Sequence, residues 1–169
     1  MITIQVDDKQ VLDMLAELSR RMTNLQPAMK EIGEDIVEST KRRFDSSTSP
    51  DGTPWAANSS VTVARYLGMF AGSHKKDGTL SKRGAARSAG KKPLIGETKT
   101  LQSTINYQLN GTSAVHIGSP KVYAAMHQFG GTKAQFPHLW GNIPARPFLG
   151  LSAPDKANIL DILGTYLVR

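Results

Sequence analysis

The sequence predicts an α+β fold: a small antiparallel sheet, an N-terminal helical hairpin and a C-terminal helix. Three observations predict it. Apolar residues recur at steps of three and four over residues 11–44. Apolar and polar residues alternate on both sides of Asn110-Gly111. A helix-capping pattern at Ser152 and Asp155 opens a last periodic segment. The length of 169 residues suits one domain, residues 1–169, large enough to bury a core without disulfides.

Residues 2–6, ITIQV, alternate β-branched and polar side chains and predict a short strand. Asp7 or Asp8 follows as a helix cap. Val11, Leu15, Leu18, Met22 and Leu25 then form one apolar stripe. Pro27 suits the first turn of a second helix, in which Met29, Ile32, Ile36, Thr40 and Phe44 share a face. Lys41, Arg42 and Arg43 near its end suit the negative helix pole. Packing of this hairpin on the sheet is the expected use of both stripes.

Pro50-Asp51-Gly52 is turn chemistry: proline presets φ, aspartate bonds nearby backbone, and glycine accepts positive φ. Trp55 follows as the anchor of that turn on the core. Residues 59–70 predict a short helix, and Glu97 to Gln102 a helical turn. Ile105, Tyr107 and Leu109, then Val115 and Ile117, predict a hairpin with a type I′ turn at Asn110-Gly111. Val122 to Phe129 predicts a short helix ended by Gly130-Gly131. Residues 132–147 form a proline-rich loop, because Pro144 and Pro147 exclude a central strand. Phe148 and Leu149 predict an edge strand. Ile159, Leu163 and Tyr166/Leu167 give the final helix its buried face.

Charge is concentrated. Of the net +7, all lies between Arg65 and Lys92, where eight basic residues face one acid, Asp77. Residues 71–92 are small, polar and basic, with Leu80 as the only large aliphatic side chain. Such a segment buries too little apolar surface to offset its ordering entropy, which predicts a flexible basic loop or arm. Lys75, Lys76, Lys82, Arg83, Arg87, Lys91 and Lys92 are its candidate contacts to DNA phosphates or an acidic partner. A solvated loop without function is the plain alternative. Trp140, Arg146 and Phe148 form a second candidate surface, for subunit contact, since Trp and Arg are enriched at interface hot spots. Against that stands a role for Trp140 and Phe148 in covering the domain's own core.

The chemistry of an enzyme has no support. There is no cysteine, hence no disulfide, thiolate metal site or cysteine nucleophile. The histidines at 74, 116, 127 and 138 lack metal-ligand spacing, so no metal or other cofactor is expected. Neither a nucleophile elbow nor a phosphate-binding glycine motif occurs. The N-terminus reads as no signal peptide, and no apolar run has the ~18 residues that span a bilayer.

The order of motifs resembles the phage virion morphogenesis family. After a helical start come Arg43-Phe44, SPDGTPW (49–55), a basic variable stretch, PLIGETKTLQSTI (93–105), YAAMHQFGG (123–131) and IPARPFLGLS (143–152). The family includes tail completion proteins of P2-like phages and the Mu-like protein G group. One departure is Glu97-Thr98-Lys99-Thr100 before Leu101, where members often carry threonine-glycine.

The resemblance implies a tail-terminator- or neck-protein-like fold and a structural, non-enzymatic role late in morphogenesis. It implies self-association, as a six-membered ring, and contact with the tail tube or head–tail connector proteins. The product would sit in the virion neck or tail after assembly in the host cytoplasm. A head-side stopper or connector subunit is an alternative within that class. A basic DNA-binding accessory protein is the alternative outside it.

Overall fold

Among the described residues helices dominate, and the sheet is a single hairpin. A computed structural model describes residues 9–139 and 141–168. The expected strand at 2–6, the Asp7 or Asp8 cap and Trp140 lie outside the described residues. The elements run α1 (Lys9–Thr23), α2 (Gln26–Ser46), α3 (Ser60–Gly68), α4 (Lys82–Gly90), α5 (Thr100–Ser103), β1 (Asn106–Asn110), β2 (Ala114–Gly118), α6 (Ala124–Phe129) and α7 (Ala153–Val168). The α+β class, the N-terminal helical hairpin and the C-terminal helix follow the sequence reading.

The described chain forms two compact units. The first holds residues up to Ser39, then 106–118 and 151–169. Ala28, Ile32 and Ile36 of α2 and Ile162 of α7 are its buried core, with Val115 and Ile117 of β2 packed against them. Gly33 is where helix meets hairpin: a Cβ there would stand 2.7 Å from the Tyr107 ring. The predicted capping box forms, with Ser152 N–H donating to Asp155 Oδ2 at 2.8 Å and Asp155 N–H to Ser152 Oγ at 3.3 Å. Ser39 Oγ donates to the other oxygen of Asp155 at 2.6 Å, tying α2 to the start of α7.

The hairpin has the expected strands but a different turn. Asn110 pairs with Ala114, so three residues, Gly111, Thr112 and Ser113, make the loop in place of a two-residue type I′ turn. Gly111 still supplies a positive φ, +65°. His116 stays exposed and bonds Asn110 Nδ2 at 3.1 Å.

The second unit holds residues 40–105 and 119–150. Phe44 and Phe148 are fully buried at its centre, with Trp55 beside them. The Phe44 ring lies 5.3 Å from both Trp55 and Phe148, edge-on to the first. Thr40, in line with Phe44 on the predicted face, is also fully buried.

Two expectations change in this unit. Phe148 and Leu149 form no strand, because both their N–H groups donate to Gln128 Oε1, at 2.9 and 3.0 Å, and so are satisfied without a ladder. Within the segment expected as a basic loop, α4 forms, capped by Ser81 Oγ accepting from Gly84 N–H at 3.0 Å. No large side chain is needed there. Gly84 is buried so closely on Ser73 that a Cβ would come within 2.0 Å of the Ser73 carbonyl oxygen.

Candidate functional site

The site begins with a turn used twice. Asp51-Gly52-Thr53 and Asp77-Gly78-Thr79 fold alike. In each, the aspartate Oδ1 accepts the threonine N–H at 2.9 Å, and the glycine takes a positive φ, +86° and +83°. The same threonine contacts hold both carboxyls below the usual range: backbone bonding leads for Asp51, the Thr79 hydroxyl for Asp77. Antiparallel bridges close the turns, Thr48 to Pro54 and His74 to Leu80. The first turn delivers Trp55 to the core. The second presents Lys75 and Lys76 to solvent. The repeated Asp-Gly-Thr tripeptide is a sequence signal for order inside the basic segment.

Trp55 and the segment 146–150 are bonded through carbonyl oxygens. Trp55 Nε1 donates to Pro147 O at 2.8 Å. Arg43 Nη1 donates to Phe148 O at 2.9 Å and Gly150 O at 2.8 Å. Arg146 reaches the opposite way, with Nε to Ala56 O at 2.7 Å and Nη2 to Ala57 O at 2.8 Å. The strings SPDGTPW and IPARPFLG therefore meet in space: Trp55 bonds a carbonyl of the second, and Arg146 bonds the two carbonyls just past the end of the first. Of the three candidate interface residues, Phe148 is fully buried in this core, Arg146 is 6% exposed, and Trp140 lies outside the described residues.

Arg146 borders a cavity of about 380 Å³. Lys91 and Lys92, from the basic segment, line it too, so two patches far apart in sequence share one site. His127 stands beside them, its carbonyl accepting the Arg146 N–H at 2.8 Å. Burial, and then the Arg146 charge, hold the His127 imidazole below its usual pKa, and Nδ1 is buried with no hydrogen-bond partner. Burial also lowers Arg146 from the usual guanidinium value. Leu94, Ile95, Ile143 and Pro144 give the cavity its apolar walls, and none of the described residues lining it is acidic.

The remaining basic candidates divide. Lys75, Lys76, Lys82 and Arg83 are exposed. Arg87 is tied to its own unit by bonds to Ala71 O at 3.2 Å and Ser73 Oγ at 3.1 Å, and it lies 4.8 Å over the Phe70 ring. Lys91 sits 4.9 Å over Tyr66 and bonds the Ile95 carbonyl; Lys92 bonds the Asp45 carbonyl.

A further surface belongs to the first unit. The predicted stripe of α1 forms, but no residue of α1 is buried. Val11, Leu15 and Met22 are more than half exposed, and Met14 is 75% exposed. Periodicity identifies the apolar face and cannot say that this unit leaves it uncovered.

Among the described residues no group of three His, Asp, Glu or Cys is placed to hold a metal ion, and no helix is long and apolar enough to cross a membrane. What the residues do build is contact surface: an uncovered apolar helix face, an exposed basic turn and helix, and a cationic cavity. The phage virion morphogenesis family matches residues 6–168, and the chain belongs to that family. Membership places it among proteins of phage virion morphogenesis.

Two curated relatives carry the same signal. One is the Mu-like prophage FluMu G protein 2 of Haemophilus influenzae, 39% identical over 74 residues, which are 44% of this chain and 51% of the relative. Another is the putative capsid assembly protein G of Escherichia phage Mu, 49% identical over 47 residues, 28% of this chain and 30% of the relative. The chain thus spans about half the length of the first and under a third of the second. No solved structure matches.

Proposed function

We propose that the chain is a non-catalytic tail-completion subunit, a ring-forming tail terminator that makes the tail competent to join the head. The uncovered apolar face of α1 carries this reading. An apolar stripe that a subunit leaves in water is a surface for another chain. Head-to-tail closure of a ring needs two different complementary patches on each subunit. The α1 stripe, with Met14 and Leu15, supplies one of them. In a six-membered ring the product would lie in the virion neck, against the tail tube or the head–tail connector.

Electron microscopy of lysates from a phage lacking the gene tests this reading. Overlong or ragged tails beside filled heads are expected. Normal-length tails beside unjoined heads would instead fit a head-side stopper or connector subunit. Intact infectious particles would overturn the assembly role altogether.

Lys75, Lys76, Lys82 and Arg83 favour a second contact. They are exposed, and Asp77 is the one acid in their stretch of sequence. Lining a ring lumen, they would neutralise phosphates of DNA in transit. A basic DNA-binding accessory protein would use the same residues as an isolated monomer, without requiring the α1 face.

A further inference from the structure

Among the described residues, the cavity at Arg146 has a charge without a counter-charge in its lining. Arg146 is a buried residue, 6% exposed, yet its guanidinium bonds two neutral carbonyl oxygens, Ala56 O and Ala57 O. Those bonds use Nε and Nη2, leaving Nη1 without a hydrogen bond among the described residues. Lys91 and Lys92 line the same space, and their bonds also go to carbonyl oxygens. The positive pole of α3 adds to the field, since its cap Ser59 and Thr62 line the cavity as well. His127 Nδ1 is a buried polar atom without a partner. Burying a charge is costly unless an opposite charge or full hydrogen bonding accompanies it.

We propose that this cavity binds a carboxylate side chain of a partner virion protein, an Asp or Glu flanked by an apolar residue. The carboxylate meets Arg146 and the two lysines, and the neighbouring apolar side chain rests on Ile95 and Ile143. A volume of about 380 Å³ is at the small end of ligand cavities, enough for side chains and too narrow for a duplex. The apolar wall argues in the same direction, because a phosphodiester backbone has nothing to place against it. The planar guanidinium suits carboxylate recognition, and its two existing bonds fix its orientation before binding. This inference rests on the chain being an assembly subunit, and it names the chemistry of one of its contacts.

The test is a nuclear magnetic resonance titration of the full chain with short capped peptides at constant ionic strength. The probes are acetyl-Leu-Glu-Leu-amide, its Glu→Gln counterpart, inorganic phosphate and a short DNA duplex. Saturable shifts at Lys91, Lys92 and His127 are expected with the glutamate peptide, at an affinity of about 1 mM or tighter. The glutamine peptide is expected to bind about tenfold more weakly, because it forfeits a charge-assisted hydrogen bond. Lys92→Glu should weaken the glutamate peptide similarly. That side chain is exposed, so the variant should fold even if Arg146→Gln, which loses the tethers to Ala56 and Ala57, does not.

Equal binding of the two peptides, or none at these residues, overturns the proposal. So does preference for the duplex or for free phosphate over the glutamate peptide. The gene-deletion microscopy is independent: a terminator phenotype with a failed titration rejects the cavity assignment alone.

Discussion

Trp55 Nε1 donates to the carbonyl oxygen of Pro147 at 2.8 Å, across 92 residues of sequence. The bond joins the end of one motif to the middle of another. The Trp55 ring meanwhile packs edge-on against Phe44, which also meets Phe148. Trp55→Phe keeps an aromatic ring and removes the donor, leaving a carbonyl short of its partner. A loss of about 1–3 kcal/mol is expected in chemical denaturation. Phe148→Ala, which empties a fully buried site, should cost about 3–5 kcal/mol. Equal, small losses for both would mean that this aromatic cluster is not the centre of the second unit.

Glycines give a sharper contrast. Alanine in a helix is ordinarily better than glycine by about 1 kcal/mol. Gly164, inside α7, has open space around a would-be Cβ, so Gly164→Ala should raise the melting temperature. A Cβ added at Gly33 would stand 2.7 Å from the Tyr107 ring, and one at Gly84 2.0 Å from the Ser73 carbonyl oxygen. Gly33→Ala and Gly84→Ala should lower it instead, with overpacking costs of about 1–3 kcal/mol. Thermal melts of the three variants decide the signs. A rise for Gly84→Ala would mean that α4 does not rest on Ser73.

How much of the fold is legible in the sequence differs by element, for physical reasons. The hairpin, α2 and α7 announce themselves because period and caps are local properties of the chain. The capping box at Ser152 and Asp155 is one such case. Asp51-Gly52-Thr53 reads as a turn while its copy at Asp77-Gly78-Thr79 is masked, because the lysines and small residues around the copy argue for disorder. There α4 is held by Gly84 against Ser73, an approach of backbones that leaves no hydrophobic trace. Phe148 reads as strand because its neighbours are apolar; a side chain 20 residues away, Gln128, takes the place of the ladder. Arg146 is legible as important but not as buried, since nothing local says that Ala56 and Ala57 supply its acceptors.

His127 makes stability depend on pH in a stated direction. Burial and the Arg146 charge lower its pKa in the folded chain from 6.5. The unfolded chain therefore binds a proton more readily, and stability rises with pH wherever the unfolded state carries more protons. His127's contribution is fully present above pH 6.5 and is lost as pH falls below it. Melting temperatures of the wild type and His127→Gln, measured across this range, should converge in acid if the variant is the less stable at neutral pH. A wild-type curve parallel to the variant's would exclude His127 as the titrating group.

The face of α1 separates assembly from folding. Leu15 and Met22 are exposed, so charges there meet water in the free subunit. Leu15→Glu with Met22→Glu should change stability by no more than about 0.5 kcal/mol per site. In a complementation assay the same variant should fail to restore infectious particles, because two carboxylates would be buried against an apolar partner. Charge reversal at Lys75, Lys76, Lys82 and Arg83 should act differently. It leaves the α1 face intact, and it should flatten the dependence of DNA affinity on salt by about 0.9 in logarithmic slope for each phosphate no longer neutralised. If the α1 variant complements fully while the charge-reversed variant loses both DNA binding and infectivity, the basic segment, rather than a subunit ring, is what the phage requires of this chain.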